Sequence, residues 1–327
     1  MRRPWLAPLT PLYAAGLALR NLRIRNGWEP VLRLRLPVVS VGNLSTGGSG
    51  KTPLTIALAK ALTQRRLPVD VLSRGYGRQG RLPARVNPDG TAEEFGDEPL
   101  LIAREAGVQV YVAARRYQAG LMAEASQPDS ANRAVHLLDD GFQHRQLHRD
   151  VDILLLDRND WQDGLLPAGN LREPLQAARR AGVIAIPADD AELESKLRVW
   201  GFGGPVWRLH RKMVVPVLDG PVAAFCGIAR PAQFFAGLEA AGLHIGARLA
   251  FPDHHRYSLA DLERLVTAAR KTGTTAFLTT EKDRVRLGKL SVALPESLPL
   301  KTTGLHIEIE HQDEALDWLI NRLKQDS

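Results

Sequence analysis

Between Gly42 and Pro53 the chain reads GNLSTGGSGKTP, in which Gly47, Gly48 and Gly50 lead into Lys51 and Thr52. These residue types in this order suit one task. Glycines let backbone N–H groups approach a phosphate, a lysine reaches the β and γ phosphates, and the neighbouring hydroxyl can hold Mg²⁺. Ser45 stands where the usual G-x-x-x-x-G-K-[ST] pattern has its first glycine, which costs the match little. Such a loop needs an acid at the end of a neighbouring strand, and the apolar run in RAVHLLDDG ends in Asp139 and Asp140. Together these motifs predict ATP and Mg²⁺ as ligands. Gly47, Gly48, Ser49, Gly50, Lys51 and Thr52 would surround the phosphates, and Thr52, Asp139 and Asp140 would face the metal.

The elements that must position these groups follow from the alternation of short β-branched runs with longer helix-compatible stretches, the pattern of βα units around a mostly parallel sheet. Strands are predicted at 37–41, 69–72, 108–112, 134–138, 151–156 and 183–186, with helices after Lys51 and after Asp97. The fold class is α/β, a P-loop NTPase-type sheet flanked by helices over residues 36–205. Residues 206–220 read as an extended linker. A second, smaller α/β domain over 221–304 is predicted from strands at 222–225, near 248–251 and at 275–279, with helices at 231–242 and 259–272. The tail, 305–327, offers a strand at 306–309 and a helix at 314–323, and is expected to pack on the first domain.

The net charge of +7 is unevenly placed: residues 1–35 hold seven arginines against the single acid Glu29 and so supply +6 of it. Cations bunched beside an apolar run point to anionic lipid rather than to nucleic acid. The run from Trp5 to Leu19 is uncharged for fifteen residues; as a helix it would be about 22 Å long against a hydrocarbon core of about 30 Å. We read 1–35 as an interfacial anchor, with Thr10 as N-cap and Pro11 at the first helical position; a signal peptide and a core helix are the other readings. One cysteine, Cys226, excludes an intrachain disulfide. His144 with His148, and Asp253 with His254 and His255, have metal-ligand spacing, but no further ligand stands at zinc-site spacing from either group.

In order along the chain, VGNLSTGGSGKTP, SRGYG, GDEP, LLDDGFQH, GNLREP, CGIARP, FPDHH and TTEKD resemble the tetraacyldisaccharide 4'-kinases of Gram-negative bacteria. The resemblance implies transfer of the ATP γ-phosphate to the 4'-hydroxyl of a tetraacyldisaccharide 1-phosphate, forming lipid IVA at the cytoplasmic face of the inner membrane. It implies Asp97 as base with a histidine from the second domain, His254 or else His255, and Arg116, or else its neighbour Arg115, near the transferring phosphate. Arg172, Glu173, Gln143 and His144 would line the same crevice, Glu173 at the metal, and Arg74 and Tyr76 would border the acceptor. Lys282 and Asp283 are assigned to domain closure or structure. The loop also fits a nucleotide-dependent switch or a dethiobiotin-synthetase-like ligase. A switch does not need the Asp97–His254 pair, and a ligase does not need the lipid anchor. Oligomeric state is not legible.

Overall fold

The computed structural model describes residues 3–48, 50–127 and 134–325. Ser49, expected among the phosphate ligands, lies outside the described residues. The described strands are β1 (Val38–Asn43), β2 (Val69–Ser73), β3 (Ala84–Arg85), β4 (Gln109–Val112), β5 (Val135–Asp139), β6 (Val151–Leu155), β7 (Val183–Pro187), β8 (Val206–Val214), β9 (Val222–Cys226), β10 (Ile245–Ala250), β11 (Ala276–Thr280) and β12 (Leu300–Ile309). The helices are α1 (Thr10–Arg25), α2 (Lys51–Gln64), α3 (Ala92–Phe95), α4 (Asp97–Ala106), α5 (Arg116–Ala125), α6 (Arg158–Trp161), α7 (Ala191–Val199), α8 (Pro231–Ala240), α9 (Leu259–Thr272), α10 (Glu281–Leu287) and α11 (Gln312–Gln325).

The strands form one sheet in the order β10-β9-β11-β12-β8-β7-β6-β1-β5-β2-β4-β3, parallel except at β3 and between β8 and β12. The chain moves from β1 out to β2 and β4, returns to β5, then crosses to β6 on the other side of β1. Such a reversal opens a crevice beyond the carboxyl ends of the strands. Register sets Val41 beside Asp139, so the end of β5 lies next to the loop that leaves β1.

Strand β1 is buried along its whole length, and β2, β5 and β6 are too. Central parallel strands covered on both faces read as continuous apolar runs, which is why they were visible in the sequence. On one face Leu54, Leu58 and Leu62 of α2 share a core with Leu100 and Ile102 of α4 and Leu316 and Leu319 of α11. The C-terminal helix therefore packs on the core of the large lobe. The small lobe has its own apolar clusters around Phe225, Phe277 and Leu265, and around Phe234, Leu238 and Leu278.

Two expectations change. Residues 206–214 are a strand within the sheet, parallel to β7 and antiparallel to β12. Only Trp207 and Leu209 of that strand are buried, and the exposed Arg208, His210, Arg211 and Lys212 disguised it as a linker. Strand β12 pairs first with β11 and then with β8, so both passages of the chain between the lobes are hydrogen-bonded to each other. At the N-terminus, Thr10 does not cap α1: a 3-10 turn over Pro4–Leu9 runs straight into the helix, and Leu9 occupies the cap position with no side-chain bond.

Candidate active site

The phosphate loop connects β1 to α2 at the carboxyl edge of the sheet. Gly47 and Gly50 have φ of 107° and 91°, a backbone region that L side chains rarely adopt. Gly50 occupies the N-cap of α2, so the first N–H groups of that helix open onto the loop. Ser45 is not left-handed. Its carbonyl and hydroxyl accept from the Asn43 side-chain amide at 2.8 and 3.2 Å, and it pairs across to Leu171. A side chain is thus accommodated at the position where related loops have glycine.

Lys51 Nζ lies 3.6 Å from Asp140 Oδ1. Asp140, itself at φ 51°, accepts from Arg172 at 3.0 Å. Burial works against ionisation here, but Lys51 and Arg172 hold the carboxylate below its ordinary range. Asp139 is 2% exposed, and burial, then Glu98 and Asp140, push its carboxyl up to about 7. Thr55, one turn beyond Lys51, places its hydroxyl 3.2 Å from Asp139 Oδ1. Among the described residues no three His, Cys, Asp or Glu side chains gather closely enough to hold a metal by themselves. Glu173, also expected at the metal, is gripped by Arg180 through two bonds of 2.8 and 2.7 Å.

Asp97 begins α4. The preceding Gly96 has φ 91°, and a Cβ there would stand 3.0 Å from the Tyr76 carbonyl oxygen, so glycine lets the SRGYG turn and the GDEP helix start touch. Across the cleft, a left-handed His254 (φ 58°) donates its backbone N–H to the Gly227 carbonyl. It presents Nδ1 to Asp97 Oδ2 at 3.1 Å, with the Tyr76 ring edge-on at 5.2 Å between centroids. His255 turns away: it bonds Asp261 at 3.0 Å and stacks on Phe251. His254 is therefore the histidine that meets Asp97.

Arg116 is buried at the start of α5 and Arg115 is exposed, which separates those two as well. Burial and the nearby Arg74 lower the Arg116 guanidinium to about 10. His144, half-buried beside Arg116, Arg149, Arg20 and Arg74, is pushed down to about 3 by desolvation and by those charges, and stays neutral, a donor or acceptor within a cationic wall. Gln143 donates to the Asn43 carbonyl at 2.9 Å and accepts from Arg172 at 3.2 Å, joining the two sides of the crevice. Arg74 and Tyr76 are both exposed at the end of β2.

Two contributors, Thr55 and Arg286, escaped the motif reading, whereas Lys282 was assigned to domain closure or structure. Thr55 stands four residues after Lys51, a helical spacing that could have revealed it. Lys282 Nζ donates to Glu98 at 2.7 Å, and Arg286, one turn further along α10, bonds Asp97. A cavity of about 720 Å³ runs from Ser45, Thr46 and Gly47 to Ala229, Arg230 and Asp253, between the phosphate loop and the small lobe.

The chain is similar to known proteins over nearly its whole length. The family described as tetraacyldisaccharide-1-P 4'-kinase matches residues 2–324. Among curated relatives, the tetraacyldisaccharide 4'-kinase of Koribacter versatilis is 44% identical over 97% of this chain and 98% of its own. That of Anaeromyxobacter dehalogenans is 41% identical over 87% and 81%. A crystal structure of the apo form of LpxK from Aquifex aeolicus in complex with ATP superposes with a TM-score of 0.77 at 33% identity, covering 97% of this chain and 98% of that one. The chain belongs to the tetraacyldisaccharide-1-P 4'-kinase family.

Proposed function

We infer that this chain transfers the γ-phosphate of ATP to the 4'-hydroxyl of a tetraacyldisaccharide 1-phosphate, the step of lipid A biosynthesis that forms lipid IVA. The observation that carries the reading is the meeting of Asp97 and His254, from opposite lobes, at 3.1 Å on the same edge of the sheet as the phosphate loop. A switch that only bound and released nucleotide would have no use for that pair.

Phosphoryl transfer needs charge neutralisation, in-line positioning and a group to receive the acceptor's proton. Lys51 and the N–H groups around Gly47, Gly48 and Gly50 bind the phosphates. Thr52 and Asp139 would hold Mg²⁺, with Asp140 beside them, and the ion would neutralise charge on the β and γ oxygens. The raised Asp139 carboxyl fits this role, since a buried carboxylate short of countercharge is completed by a cation. Arg116 stands ready for charge on the transferring group. Arg74, Tyr76, Gln143, His144 and Arg172 orient the sugar, and the Asp97–His254 pair takes the hydroxyl proton.

The N-terminal region brings this site to its lipid. No helix among the described residues is long and apolar enough to cross a membrane. None of the α1 residues is buried, and Trp5, Leu9, Leu12, Leu19, Leu22 and Trp28 are exposed. Tyr13 and Arg20 tie α1 to the Arg172 and Gln143 carbonyls at 2.8 Å each, so the apolar surface and the crevice are held together. An acceptor with four acyl chains stays in the bilayer, at about 0.8 kcal/mol per buried CH₂, so the enzyme lies on the cytoplasmic leaflet of the inner membrane.

The test is incubation with labelled ATP, Mg²⁺ and a tetraacyldisaccharide 1-phosphate in detergent micelles, followed by location of the new ester. Label on the 4' oxygen is expected; nucleotide hydrolysis with no labelled lipid would sink the reading. Flotation with anionic vesicles tests the anchor, and Trp5→Ala with Leu12→Ala should weaken it while leaving ATP affinity unchanged.

A further inference from the structure

Arg286 is 5% exposed, lies on α10 and reaches out of the small lobe. Its Nε and one terminal nitrogen sit 2.7 and 2.6 Å from Asp97 Oδ2. The other terminal nitrogen donates to Asp283 Oδ1 at 3.1 Å and to the Gly227 carbonyl. Asp283 is fully buried, and its carboxylate also accepts from the Gly227 N–H, the Tyr257 hydroxyl and the Thr280 hydroxyl. A guanidinium is a rigid plane of donors, so anchoring one edge on Asp283 aims the opposite edge at Asp97.

The same nitrogen that meets Asp97 is 3.3 Å from His254 Nδ1. Arginine only donates, and Asp97 only accepts while ionised. Were Nδ1 unprotonated, its lone pair would press on a carboxylate oxygen 3.1 Å away. With a proton on Nδ1, both the ring and the guanidinium donate to Oδ2 and every group is satisfied. Nε2 then carries the lone pair, on a side chain that is one third exposed. The other charged groups facing this cluster are Lys282, 3.9 Å from Asp97, and Asp253, 4.0 Å from Nε2. Burial opposes ionisation of Asp97, yet the His254 hydrogen bond and the charges of Lys282 and Arg286 hold it well below the usual carboxylate range. So weak a base is a poor proton acceptor at neutral pH.

We propose that Arg286 is a positioning residue for the transfer: held by Asp283, it orders the Asp97 carboxylate against His254, the pair already assigned to the acceptor's proton. This rests on the kinase reading above. As an electron pair of the hydroxyl oxygen forms the bond to phosphorus, the bond from phosphorus to the bridging oxygen breaks and its pair leaves on ADP. The hydroxyl proton passes to the Asp97–His254 pair.

Steady-state kinetics of the full chain with ATP, Mg²⁺ and the tetraacyldisaccharide 1-phosphate in micelles test it. For Arg286→Ala, kcat should fall about 10²-fold, the cost of misplacing a reacting group, while ATP affinity by calorimetry stays within about twofold of wild type. Arg286→Lys should fall between the two, and millimolar guanidinium should restore part of the alanine variant's kcat. Asp283→Asn, which loosens the anchor but keeps Arg286, should lower kcat by a smaller factor in the same pattern. The proposal is overturned if Arg286→Ala keeps wild-type kcat. It is equally overturned if ATP affinity falls in step with kcat and guanidinium restores nothing, for Arg286 then only supports the fold. A wild-type chain that phosphorylates no acceptor overturns the kinase reading itself, a result distinct from either.

Discussion

Asp97 and Asp139 are two carboxylates buried at the same edge of one sheet, 6% and 2% exposed, and they are pushed in opposite directions. Desolvation acts on both. Asp97 is supplied with protein cations from the other lobe, Arg286 and Lys282, and with a histidine donor. Asp139 has the hydroxyl of Thr55 and the charge of Lys51, set against the like charges of Glu98 and Asp140. The first site is electrostatically complete within the chain, and the second is short of positive charge that a divalent ion would bring. That difference suits the two acids to the different roles proposed for them, Asp97 as partner of a proton acceptor and Asp139 as ligand of a metal.

The comparison breaks most visibly in the chemistry. Asp97→Asn and His254→Ala should each reduce transfer to the lipid by about 10² to 10⁴, the range for loss of a general base, while ATP binding by calorimetry remains. If either variant transfers at the wild-type rate, the meeting of the lobes at this pair is structural only.

Stability should separate the two acids next. Asp97→Asn leaves Arg286 and Lys282 without their carboxylate and should cost about 3 kcal/mol at neutral pH, as breaking a buried pair does. Because the folded carboxyl titrates below its unfolded value of about 3.9, its contribution is present above that value and is lost as pH falls. The gap between wild type and Asp97→Asn in urea midpoints should therefore narrow steadily as pH falls below about 4. Asp139 carries the opposite sign. Its folded value, about 7, lies above the unfolded one, so without metal the wild type loses stability as pH rises from about 4 to about 7. Asp139→Asn should remove part of that slope and be neutral or stabilising at pH 8. A destabilised Asp139→Asn in metal-free buffer would contradict the shortage of countercharge.

The sequence displayed one of these sites far better than the other. The phosphate loop and its pair of acids are each a short run of consecutive residues at the end of a fully buried strand, and the apolar runs of those strands are conspicuous. Asp97 and His254 are 157 positions apart and were joined only through family resemblance. Arg286 escaped altogether, since nothing local distinguishes an arginine in EKDRVRL that bonds an acid 189 positions away from one on a solvated helix face. In the same way β8 hid in a charged stretch, because its partners β7 and β12 supply the burial that its own side chains do not announce. Contacts made within a motif were readable; contacts made between lobes were set by topology.

The smallest test concerns how far Asp139 relies on its one hydroxyl partner. Thr55 Oγ1 lies 3.2 Å from Asp139 and 3.1 Å from the Lys51 carbonyl, and its single proton can serve only one of them. If it serves Asp139, it favours the charged form that a cation needs. Thr55→Val keeps the shape and removes the donor, which is worth about 1 kcal/mol, or about fivefold in binding. Titration of Mg²⁺ into the ADP-bound chain should show that weakening for Thr55→Val and none for Thr55→Ser, with metal-free ADP affinity unchanged in both. Equal Mg²⁺ affinity in the valine variant would mean that the proton goes to the helix backbone, and that the ion is held without help from Thr55.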